Sequence, residues 1–205
     1  TGLVAFWNMT DPAAAAGPWP DAVDDATGLH LTDNNSVTSA APVSEYTGGG
    51  GTGAGQFVAA NLESLSIADT TALSGPGDFT VSAWVYIDST ATNNTIASKW
   101  ISATNQREFL LYLRTSTNRL AFSLSDDGIG GTLLEANSFG APPTGTWIHV
   151  VIWLDNVANT MNIQVNNGAA DSLAHATDRF DGTAPFVIGN HGLAHNFGSK
   201  GDHDR

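Results

Sequence analysis

Cysteine is absent from the 205-residue chain. That removes disulfides, thiolate nucleophiles and Cys-ligated zinc, so the core must hold without covalent staples. Positive charge is also scarce, with 7 Lys and Arg against 20 Asp and Glu and a net charge of −13. A field of that sign repels phosphate, which argues against nucleic-acid partners and acidic membrane surfaces. Hard divalent cations are its natural counterparts. Charged residues of both signs make up only 13% of the chain, and 22 Gly are present. Polarity therefore comes from Asn, Thr and Ser, a surface suited to turns and to hydrogen bonding with sugars. No apolar run is long enough to span a bilayer, so membrane insertion is not expected. A basic start followed by an apolar stretch, the mark of a secretory leader, is also missing. Helical signals are nearly absent: the Ala run at 13–16 lies between Pro12 and Pro18, leaving room for one turn.

What the chain does have is a series of short apolar runs punctuated by Gly, Asn, Asp, Ser and Pro. The expected strands cover residues 3–7, 29–32, one or two within 56–67, 78–88, 95–100, 108–114, 119–125, 132–137, 146–155, 160–165 and 186–189. Short strands at this spacing predict an all-β sandwich or barrel. Ser116-Thr117-Asn118 and Asn166-Asn167-Gly168 read as hairpin turns, since Asn and Gly take the positive φ that tight hairpins need. Residues 48–55, GGGGTGAG, read as loop. No internal repeat or domain boundary is visible, so a single domain over 1–205 is expected.

Two strands are informative in detail. Along 78–88, Phe79, Val81, Ala83, Val85 and Ile87 share one face and Trp84 and Tyr86 the other. Along 146–155, Ile148, Val150, Ile152 and Leu154 oppose Trp147, His149, Val151 and Trp153. Two readings are open: central strands covered on both sides, or an aromatic face lining a groove.

The segments LVAFWNMTD, DDATGLHLT, GDFTVSAWVYID, TIASKW, FLLYLR, RLAFSLSDDG, PPTGTWIHVVIWLD, MNIQVNNG and TAPFVIGN occur in an order and spacing that resemble laminin-G-like domains of the concanavalin-A-like lectin/glucanase superfamily. The resemblance runs from about Leu3 to the C-terminus. It implies an all-β, two-sheet antiparallel jelly-roll sandwich, with roles in sugar binding, adhesion or presentation beside a catalytic domain. In the resembled domains a last strand usually follows the stretch that here reads FGSKGDHDR. The chain also starts at Thr1 rather than Met. The expectation is a sandwich lacking its final strand, or part of a longer polypeptide.

The resemblance also implies a calcium ion between an early Asp and one leading into the last strand. By position these are Asp24 or Asp25, and Asp204 with Asp202. An aspartate that often follows the second main strand is here replaced by Ala59 and Ala60. His191, His195 and His203 cluster near the end, but Gly189, Gly192 and Gly198 mark loop rather than a metal-binding helix. Sugar recognition needs aromatic platforms and planar polar groups. Trp19, held between Pro18 and Pro20, and Trp100, at a strand end, are the expected platforms. Tyr112 and Arg114 alternate onto one strand face with Leu110 and are further candidates. Trp7, Trp84, Trp147 and Trp153 sit inside strand patterns and are expected in the core.

Catalysis is not expected. No strand carries the alternating carboxylates of a glucanase. Asp126-Asp127 precedes Gly128 in a turn, and Glu63, Glu108 and Glu135 read as isolated. The expected function is a non-catalytic extracellular binding module for carbohydrate recognition or adhesion, partnered by a glycan or glycosylated surface. The alternative is a structural or decoration protein of a surface layer, filament or virion, assembled with neighbouring subunits by strand addition.

Overall fold

A computed structural model describes residues 2–7, 9, 28–40 and 54–189. Thirteen strands are present among them: β1 (Thr32–Asn34), β2 (Thr38–Ala40), β3 (Ala54–Gln56), β4 (Ser64–Ile67), β5 (Phe79–Tyr86), β6 (Asn94–Ile101), β7 (Gln106–Arg114), β8 (Arg119–Leu124), β9 (Thr132–Glu135), β10 (Trp147–Asp155), β11 (Thr160–Val165), β12 (Asp171–Ala174) and β13 (Phe186–Ile188). A seven-stranded sheet has the order β1-β4-β13-β6-β7-β8-β9, and a four-stranded sheet the order β12-β11-β10-β5. Every pairing is antiparallel, and β2 and β3 form a separate ribbon. The only helical elements among the described residues are single 3-10 turns at Ala59–Asn61 and Ser102–Thr104.

The two sheets close on a shared core, as alternation along each strand requires. Phe109, Leu111 and Leu113 of β7 and Leu120, Phe122 and Leu124 of β8 meet Ile148, Val150, Ile152 and Leu154 of β10 and Met161, Ile163 and Val165 of β11. Phe79 links the layers, with ring centroids 5.2 Å from Phe109 and 6.1 Å from Phe122. The hairpin from β11 to β12 turns on Asn166 (φ 49°) and Asn167 (φ 56°), closed by Gly168 N–H donating to Val165 O at 2.9 Å. The left-handed pair is thus Asn-Asn, with the glycine one place later.

Three expectations need correction. Residues 3–7 form no strand; Leu3, Val4 and Phe6 are exposed. Trp7 is held instead by its side chain, stacked at 5.2 Å on Phe186 and donating its indole N–H to Leu29 O at 2.8 Å. Ala54 and Gly55, read as loop, pair with Ala40 and Ser39. The short polar strand β12 carries no strand signal in sequence, because DSLA lacks an alternating apolar pattern. It is placed by pairing with β11.

Candidate functional site: an aromatic face on the four-stranded sheet

The outward face of the four-stranded sheet carries the large aromatics of β5 and β10. Register sets them in rows: Tyr86 opposite Trp147, Trp84 opposite His149, Ser82 opposite Val151 and Thr80 opposite Trp153. Gln164 lies beside Val151 and Asn162 beside Trp153 on β11. Their chain neighbours Ile148, Val150, Ile152 and Leu154 all point into the core, so backbone alternation forces the rings outward. Trp84 is 49% exposed and Tyr86 36%, while Trp147, His149, Val151 and Trp153 are half-buried. The expectation that Trp84, Trp147 and Trp153 belong to the core is therefore corrected. Among the described residues β5 is also an edge strand, not a central one.

The rings support one another. Trp84 lies 5.0 Å from His149 with planes 31° apart, and Tyr86 packs edge-on against Trp147 at 5.5 Å. Ser82 Oγ is 2.8 Å from His149 Nε2, which fixes the imidazole beside the indole. Asn166 Oδ1 accepts the His149 backbone N–H at 2.8 Å, clamping the end of β10 to the hairpin. Asn162 is held by Thr160 Oγ1 at 3.0 Å and by the Ser172 hydroxyl, which donates to its Oδ1 at 2.6 Å. These rows hold no Lys, Arg, Asp or Glu. The result is a fixed strip of rings with hydroxyls and amides along its side, able to stack on the C–H face of a sugar.

The residues expected to bind from sequence are placed differently. Trp100 and Tyr112 are 6% and 1% exposed. With Leu110 and Ala121 they form a second cluster on the seven-stranded sheet. The Trp100 indole N–H bonds Ser102 Oγ at 3.2 Å, and Arg107 sits 5.9 Å from its ring. Neither ring offers a stacking surface, because this sheet is buried on both faces here. Arg114 shares that face of β7 and pairs with Glu135 at 3.1 Å. The pair lines a shallow pocket of about 360 Å³ with Asn137, Asp171 and Ser172, where the β9 and β12 edges approach. Trp19, Asp24, Asp25, His191, His195, Asp202, His203 and Asp204 lie outside the described residues. Among the described residues, no group of three or more His, Asp or Glu is placed to hold a metal.

Several of the described carboxylates serve the scaffold. Glu108, which reads as isolated in sequence, belongs to a buried ionic cluster. Lys99 Nζ lies 3.1 Å from Glu108 Oε1 and 2.5 Å from Asp69 Oδ1. Lys99 also donates to Ala184 O at 2.7 Å, and Arg179 Nη1 is 3.8 Å from Glu108 Oε2. Burial pushes the Glu108 carboxyl up to about 7 against the opposing pull of Lys99, Arg179 and the Gly182 N–H. Burial also acts to raise Asp69, but hydrogen bonds from Lys99 and Ser74 with the Lys99 charge outweigh it and hold that group below its usual range. Glu63 caps Val58 N–H at 2.7 Å, and Asp127 accepts from Ile129 N–H at 2.7 Å and Gly130 N–H at 3.1 Å.

Comparison with curated proteins finds no match. Among solved structures, domain 4 of AbnA, a GH43 extracellular arabinanase from Geobacillus stearothermophilus in complex with arabinotriose, aligns with a TM-score of 0.62. The identity is 16%, over 87% of this chain and 81% of that one. Botulinum neurotoxin type C, whose cell entry depends upon interaction with two ganglioside molecules, aligns with a TM-score of 0.56 at 13% identity. That match covers 95% of this chain and 43% of the neurotoxin chain, so the chain spans less than half of its length. At such identities the likeness is one of fold. The family model Laminin_G_3 matches residues 60–202, and the chain belongs to this family of the concanavalin A-like lectin/glucanases superfamily.

Proposed function

We propose that the protein is a non-catalytic extracellular module that binds carbohydrate through the aromatic face of β5 and β10. The observation that carries this reading is the half-exposed Trp84, packed at a tilt against His149 and set beside Tyr86 and Trp147 on the four-stranded sheet. Stacking rings on a fixed backbone supply apolar contact to a sugar face without ordering a loop. The acidic residues Glu108, Asp69, Glu135 and Glu63 are each engaged in ion pairs or hydrogen bonds that hold the fold together. This supports binding over hydrolysis.

A glycan array probed with the purified protein tests the reading, read in calcium and again in chelator because the expected calcium ligands Asp24, Asp25, Asp202 and Asp204 lie outside the described residues. Glycan signal lost in Trp84→Ala is the expected result. An array that stays dark in both buffers, or a signal indifferent to Trp84→Ala, would overturn it.

A further inference from the structure

We propose that the ligand of this face is an uncharged polysaccharide bound as an extended chain along β10, and neither a single terminal sugar nor an acidic glycan. The proposal rests on the carbohydrate reading above and adds the class of ligand.

The first argument is length. Trp147 and Trp153 lie on the same face of one strand, six residues apart. At about 3.3 Å per residue their positions are separated by roughly 20 Å. One sugar ring cannot touch both ends, whereas a chain of several units can. Between the ends lie the Trp84–His149 row and the Ser82–Val151–Gln164 row, the latter bringing a hydroxyl and an amide to the strip.

Charge supplies the second argument. An acidic glycan needs a cation to meet its carboxylate or sulfate. Every described Lys and Arg lies elsewhere. Lys99, Arg107, Arg114 and Arg119 belong to β6, β7 and β8 of the opposite sheet. Arg179 is buried, with its guanidinium 4.5 Å from the Phe79 ring on the core side of β5. The chain as a whole carries −13, so an acidic polymer approaching the strip is repelled.

Affinity electrophoresis through gels containing xylan, galactomannan, hydroxyethyl cellulose, polygalacturonate or alginate tests the inference. It is paired with calorimetry on oligosaccharides of increasing length cut from any polymer that retards the protein. The expected result is retardation by a neutral polymer, none by the acidic ones, and affinity that climbs with oligosaccharide length. Trp153→Ala should weaken long oligosaccharides about tenfold while leaving the shortest bound ones unchanged. Trp84→Ala, at a half-exposed position, should weaken all lengths and serves as the variant that folds normally. Retardation only by acidic polymers, or affinity already complete with a single sugar, would overturn the inference while a Trp84 dependence kept the carbohydrate reading. No binding to any polymer or sugar would remove both.

Discussion

Lys99 and Glu108 meet at 3.1 Å on adjacent strands with both side chains fully buried. The pair ties β6 and β7 to the loops carrying Asp69 and Ala184. It does in this Cys-free chain what a disulfide does elsewhere, namely join segments far apart in sequence.

Removing the cation should be severe. Lys99→Ala leaves two carboxylates facing one another with their shared ammonium gone, and breaking a buried pair in this way costs about 3–5 kcal/mol. Chemical denaturation monitored by tryptophan fluorescence checks this. A loss below about 1 kcal/mol would show that the cluster contributes little.

Glu108 gives the stability a pH signature. Its carboxyl is raised by burial from 4.5 to about 7, so between these values the folded state binds more protons than the unfolded one. The stability it contributes is full below the unfolded value and is lost as pH climbs through about 7. Asp69, held low, acts in the opposite sense, and its contribution disappears as pH falls below its ordinary 3.8. His175, lowered by burial, loses stability as pH falls through 6.5. The clean measurement is therefore a difference. The stability of wild type minus that of Glu108→Gln should shrink steadily between pH 4.5 and 7, and a flat difference would contradict the assignment.

Neighbouring strands should separate stability from binding. Ile152→Ala opens a cavity in the core, where Ile152 is fully buried, and should cost about 2–5 kcal/mol. Trp84→Ala, on the outward face of the adjacent strand, should change stability by about 1 kcal/mol or less while abolishing most glycan binding. Thermal melts and affinity electrophoresis on the same samples read both effects.

Two nearby glycines should differ sharply. Gly128 has φ +78°, and a Cβ there would sit 2.5 Å from Asn105 O and 2.7 Å from the Phe180 ring. Gly128→Ala should destabilise by more than about 1 kcal/mol. At Gly130 a Cβ would meet nothing within 4 Å, so Gly130→Ala should be nearly silent in the same melt.

Most of the sandwich was legible because two-residue alternation shows directly in sequence. DFTVSAWVYID and TWIHVVIWLD display both of their faces without any knowledge of their partners. What alternation cannot say is which face meets the other sheet. Both faces of β10 are apolar, and the aromatics went outward because the facing sheet presents Phe109, Leu111 and Phe122 to the slimmer aliphatic side. Trp100 looked exposed from its place at a strand end, yet it shares a face of β6 with Ser98, which pairs with Leu110, and is buried in a cluster with Leu110 and Tyr112. Glu108 looked solitary because Arg179 lies 71 residues away, and Asp69, which shares its Lys99, lies 39 residues away, at separations no local pattern reveals.

The rings of the outward strip alternate one for one with core side chains: Trp84 sits between Ala83 and Val85, and Trp153 between Ile152 and Leu154. Their spacing is thus locked by the interior and behaves like the teeth of a rack. On the proposed reading, a polymer whose repeat falls out of step is not accommodated by sliding one tooth. Selectivity among otherwise similar chains would then follow from periodicity, much as a gear accepts one pitch and skips on another.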